Sequence, residues 1–102
     1  MTGTGRRTKE EECLFVARVL RDVANSANLS PGMIKGMIEE GGKTRAFLLE
    51  QREEGKVIDF RWGKLDMLME MADQLLKHPA HQRGILTLAA RRFEILAGTY
   101  RG

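Results

Sequence analysis

Residues 58–76 read IDFRWGKLDMLMEMADQLL. Their apolar side chains Ile58, Trp62, Leu65, Met69, Ala72 and Leu76 recur at intervals of 4, 3, 4, 3 and 4, the spacing of one continuous helix with a narrow contact stripe. Such a stripe has to be buried against another element. His78-Pro79 halts the helix, because proline has no N–H to donate and its ring clashes with the preceding turn. A second apolar-periodic segment begins near Ala80. The spacing therefore predicts a C-terminal αα-hairpin in which the returning helix covers the stripe.

Working outward, the returning helix spans about Ala80 to Ala97, with Leu86, Ala89, Phe93 and Leu96 on one face and Ile85, Leu88 and Ile95 beside it. At the other end of the chain, Thr8 and Glu11 form a capping box that starts a first helix. That helix continues to about Ala27, burying Cys13, Val16, Leu20, Val23 and Ala27. Ser30 as N-cap and Pro31 at the first helical position start a second helix, which the Gly41-Gly42 pair is expected to end after Glu40. A third helix from Lys43 to Glu54, anchored by Phe47 and Leu48, stops at Gly55. Lys56–Phe60 is the one candidate strand, and its apolar residues also belong to the helix that follows. The expected fold is thus all-α: a compact bundle of about five helices forming a single domain over residues 8–102, after a flexible tail at residues 1–7.

With 102 residues, 30% charged and 42% apolar, the chain is long enough for one core and too short for two. The longest apolar run is the five residues Cys13–Ala17, far below a membrane span. No apolar stretch of signal-peptide length follows Arg6-Arg7, so a secretory signal is not expected and the cytoplasm is the expected compartment. Although the net charge is +3 and the isoelectric point is about 9.4, basic residues are scattered along the chain, nearly matched in number by acidic ones, and form no block of the kind that dominates phosphate binding. Cys13, the single cysteine, has no internal disulfide partner and occupies an apolar-periodic position, so it reads as core.

The constellations that suggest chemistry each fall short of a specific signature. Gly36 to Thr44 has the composition of a phosphate loop, but five residues separate Gly36 from Gly42 where that motif requires four, no strand precedes it, and Glu39 and Glu40 repel phosphate. His78 and His81 flank Pro79 with no cysteine near, and the carboxylates within reach, Asp73 and Glu94, are generic. Asp66, Glu70 and Asp73 fall on the outer face of the striped helix, where carboxylates serve solubility. No nucleophile is placed beside a base. Neither metal nor cofactor is expected, and the protein reads as non-enzymatic.

Two binding readings remain. Arg21–Ile38, RDVANSANLSPGMIKGMI, resembles the helix-turn-helix family pattern, in which Ala24 packs the two helices, Asn28 makes the turn, Leu29 fills the gap, and Ile34 and Met37 hold the recognition helix. The resemblance implies that Ser30, Gly32, Met33, Lys35 and Gly36 face the major groove of DNA. The other reading starts from the surplus apolar area of the striped helix, where Met67 and Leu68 flank Trp62, Leu65 and Met69. Methionine-rich surfaces adapt to partners, and Trp and Arg are enriched at binding hot spots. On this reading Trp62, Leu65, Met67, Leu68 and Met69 anchor a protein partner while Arg61 and Lys64 orient it electrostatically. The chain is also expected to form a homodimer. In its make-up, small, helical and non-catalytic, it is similar to bacterial or phage antiactivators, which implies a partner such as a transcription regulator.

Overall fold

The computed structural model describes residues 7–26 and 28–101. It contains four α-helices: α1 (Lys9–Ser26), α2 (Pro31–Glu53), α3 (Asp59–Lys77) and α4 (Gln82–Thr99), with a 3-10 turn at Pro79–His81 between the last two. No strand occurs among the described residues. Local signals set most boundaries. The Thr8 N–H donates to Glu11 Oε1 at 2.8 Å and the Glu11 N–H donates to Thr8 Oγ1 at 3.1 Å, closing the reciprocal box that satisfies two otherwise orphaned donors. Hydrogen bonding to the carboxylate from the Thr8 backbone first, and then from the Thr8 side chain, holds the Glu11 carboxyl below the usual glutamate range. Ser30 accepts from the Met33 N–H at 3.2 Å with Pro31 at the first helical position. Gly55 adopts φ +85° just beyond α2, a left-handed conformation that glycine tolerates best. Of the tail expected at residues 1–7 only Arg7 is described, and its guanidinium lies 3.9 Å from the centre of the Phe15 ring. The end expected for the first helix, Ala27, lies outside the described residues.

One expected boundary does not exist. Gly41-Gly42 lies inside α2, which runs unbroken for 23 residues, so the bundle has four helices and not five. Each glycine costs about 1 kcal/mol relative to alanine in a helix interior, yet the helix continues through the pair. Lys43 reaches Glu39 and Glu40 at 3.9 and 3.7 Å, and Thr44 Oγ1 donates to the Glu40 carbonyl at 3.0 Å, tying the turns on both sides of the pair. Gly41 is buried, and a Cβ there would overlap Sδ of Met69. The glycine therefore lets α3 approach α2 closely.

The helices pack as antiparallel neighbours. α1 and α4 form the most extensive contact, α2 lies against α3, and α3 touches α4 more lightly. The larger core gathers Cys13, Ala17 and Leu20 of α1, Ile34 of α2, Met71 and Leu75 of α3, and Leu86, Ala90, Phe93 and Ala97 of α4. Cys13 is fully buried, and desolvation pushes its thiol up from the ordinary value. A forked pair ties α1 to α4, Arg21 donating to both carboxylate oxygens of Glu94 at 2.8 Å. At the turn between α1 and α2, the Gln82 amide donates to the Leu29 carbonyl at 2.7 Å and accepts from the Leu29 N–H at 2.9 Å.

The stripe on α3 has a different partner from the one its position suggested. Ile58 and Leu65 are buried with Leu48 of α2, and Trp62 and Met69 pack beside them. Only at its C-terminal end does the stripe turn to the larger core, through Leu76. Helical periodicity reveals that a face is buried but not which helix buries it.

Candidate protein-binding groove

Because α3 meets α2 along its stripe and meets α4 only lightly, a groove of about 240 Å³ is left between α3 and α4. Its floor is Met71, Ala89 and Phe93, all buried. Met67 and Ile85 form the walls, joined by Leu88, which is 60% exposed. Polar groups occur only at the rim, where Arg92 Nη1 stands 3.5 Å from Glu70 Oε1 across the opening and Gln74 lies near. That pair is exposed on both sides, and an ion pair of this kind contributes about 0–1 kcal/mol, so it opens at little cost. Thioether, alkyl and phenyl surfaces make up most of the groove. They suit it to apolar side chains presented by another molecule.

The residues singled out from the sequence fall into three groups. Leu65 is 9% exposed in the small α2–α3 core, with Trp62 and Met69 packed on it. Both Arg45 and Arg52 lie over the Trp62 ring, at 5.4 and 5.8 Å from its centre. Leu68 packs against the larger core, as does Met67, which also lines the groove. Arg61 is exposed, and half-buried Lys64 reaches Glu12 of α1 at 3.2 Å. Much of the apolar surplus read into α3 is therefore taken up by α2, a helix whose full length the sequence did not reveal.

The groove residues Met71, Ile85, Leu88, Ala89, Phe93 and Arg92 were missed as a site. Met67, Met71 and Gln74 form a second row on α3 at helical spacing, and Leu88 and Ile95, seven residues apart, share an outer face of α4 where they are 60% and 63% exposed. That second row was the available signal.

For the DNA reading, Ser30, Gly32, Met33, Lys35 and Gly36 are all exposed on the first turns of α2. Ser30 is engaged as a cap, and α1 and α2 barely touch, α2 turning away to lie along α3. The rings of His78 and His81 lie 6.4 Å apart between centroids. Among the described residues no three His, Cys, Asp or Glu side chains stand close enough to share a metal ion, and no helix is long and apolar enough to cross a membrane. No protein-family model, curated protein or solved structure matches the chain.

Proposed function

We propose that the protein is a small regulatory protein that acts by binding another protein rather than by chemistry. In its most concrete form it is an antiactivator or adaptor that masks a dimerisation surface of a target such as a transcription regulator. The observation that carries this reading is the open α3–α4 groove, with a floor of buried apolar side chains, methionine on its wall and an exposed leucine at its edge. Such a groove accepts the apolar face of an amphipathic helix, whose anchors at positions i, i+3 and i+4 enter one after another. Ile95, one heptad beyond Leu88 on the same outer face of α4, extends the apolar surface beyond the groove, toward the area of about 800 Å² per partner that a stable complex buries. Self-association belongs to the same reading, through exposed Met33, Met37 and Phe47 on α2.

The test is a tagged pull-down from lysate of the source cell, with and without nuclease, using the wild-type chain and Leu88→Asp. The expected result is one protein partner at fixed stoichiometry that resists nuclease and is lost with Leu88→Asp while helicity is unchanged. Recovery of duplex DNA that disappears with nuclease and with Lys35→Glu would transfer the function to the start of α2.

A further inference from the structure

A second, charged cleft lies nearer the N-terminus of α3 than the groove does. Phe60, Lys64 and Met67 share one face of α3; Met67 lines the groove, while Phe60 and Lys64 line a separate shallow cleft of about 300 Å³ formed with the N-terminal end of α1. Four cations, Arg7, Lys9, Arg61 and Lys64, line this cleft against the carboxylate of Glu12. Glu12 is shared by Lys64 at 3.2 Å and Arg7 at 3.6 Å. Lys9 and Arg61 make no ion pair among the described residues. Instead, the Lys9 ammonium lies 5.7 Å from the centre of the Phe60 ring and 5.5 Å from that of Tyr100, two rings that meet edge to face at 5.4 Å.

Two of these cations, Lys9 and Arg61, are placed against the helix dipole. Lys9 is the first residue of α1 and Arg61 the third of α3, positions where the helix dipole favours acidic side chains and disfavours basic ones. A local rule broken twice in one cleft is expected where binding, rather than folding, sets the residue.

Resting on the protein-binding reading above, we infer that the partner segment is an amphipathic helix whose apolar stripe fills the groove and whose acidic end enters this cleft. Charge complementarity selects the acidic end. The seven residues from Phe60 to Met67 set its spacing, placing the partner's carboxylates about 10 Å, or two helical turns, from its nearest apolar anchor.

The probes are designed amphipathic peptides, fluorescently labelled, with one Leu/Met stripe. One carries glutamates two turns beyond the stripe, the second carries lysines there, and the third keeps the glutamates but scrambles the stripe. Anisotropy titrations use the wild-type chain, Leu88→Asp, and the double variant Lys9→Glu with Arg61→Glu. The double variant should fold, because it puts acidic residues where the dipole favours them, and circular dichroism checks this.

The expected result is that the glutamate peptide binds at least about tenfold tighter than the lysine peptide at low salt. That preference should shrink as salt is added, reverse in the double variant, and give way to loss of binding in Leu88→Asp and with the scrambled stripe. Equal binding of the glutamate and lysine peptides overturns the acidic-end inference and leaves the groove reading standing. Failure of both striped peptides, or undiminished binding of the scrambled one, overturns the groove reading and this inference with it. A single-stranded oligonucleotide that binds tighter than the glutamate peptide, and loses that binding in the double variant, assigns the cleft to nucleic acid and overturns the inference.

Discussion

The α1–α4 and α2–α3 seams are both antiparallel helix pairs, yet they are held differently. Between α1 and α4, buried side chains from all four helices close over Phe93, and polar ties flank them: Arg21–Glu94, Arg83–Asn25 at 3.1 Å and Arg101–Glu10 at 2.9 Å. Between α2 and α3 the buried set is Leu48, Ile58 and Leu65. Beside it Arg45 donates to Asp66 at 3.0 Å, while its enclosed Nε has no hydrogen-bond partner among the described residues. Local stability follows the buried apolar contact that each segment shares, so the second half of α2 should open before the rest of the molecule. On the proposed protein-binding reading this is an advantage, because the α1–α4 pair can stay rigid while α3, which packs on α2, adjusts.

The comparison can be broken most directly at Phe93. Its side chain is fully buried, and Phe93→Ala should cost about 3–5 kcal/mol in urea denaturation, lowering the transition of the whole molecule. Leu48→Ala should cost less, about 2 kcal/mol, at the low end for a buried leucine. Its mark should be local: amide exchange accelerates in residues 41–53 while α1 and α4 keep their protection, whereas uniform acceleration would show that the two seams are one cooperative unit.

The adjacent glycines sharpen the same contrast. Gly41→Leu would force Met69 out of its contact and should destabilise by about 1–3 kcal/mol. At Gly42 an added Cβ meets open space, so Gly42→Ala should stabilise by about 0.8–1 kcal/mol through helix propensity alone. Denaturation midpoints of the two variants shifting the same way would show that Gly41 is not a packing device.

The smallest expected effect is electrostatic. The hydrogen bonds from Arg21 hold the Glu94 carboxyl below the ordinary glutamate value of 4.5. The folded chain therefore takes up a proton less readily there than the unfolded chain does. The stabilisation is complete above the unfolded value and is lost as pH falls through the folded one. Both side chains are substantially exposed, which keeps the effect small. Thermal melts of Glu94→Gln should show a shallower decline than wild type as pH is lowered below about 4.5; parallel declines would place the acid sensitivity elsewhere.

What the sequence disclosed was local in origin. Thr8 with Glu11, Ser30 before Pro31, Gly55 after α2 and the stop at His78-Pro79 each satisfy or deny backbone groups within one turn, so their meaning is carried by near neighbours. Gly41-Gly42 was misread because the residue that accounts for it, Met69, is distant in the chain. The partner of the α3 stripe was misassigned for the same reason, since once α2 is one long helix it has the length to cover Leu65 and Met69. The groove is less legible still. It exists because α3 is drawn to α2 and stands off from α4, a property of helix placement that no single periodicity contains. Only Met67 of its lining had been singled out from the sequence as a contact residue.

The two guanidinium groups over Trp62 have an optical consequence. Trp62 is the single tryptophan of the chain, and both cations over its ring come from α2, so indole emission is a gauge of one seam while far-ultraviolet ellipticity averages over all four helices. On heating, the emission maximum should move to longer wavelength several degrees before helicity falls, so that the two melting curves separate by the margin between the weaker seam and the stronger one.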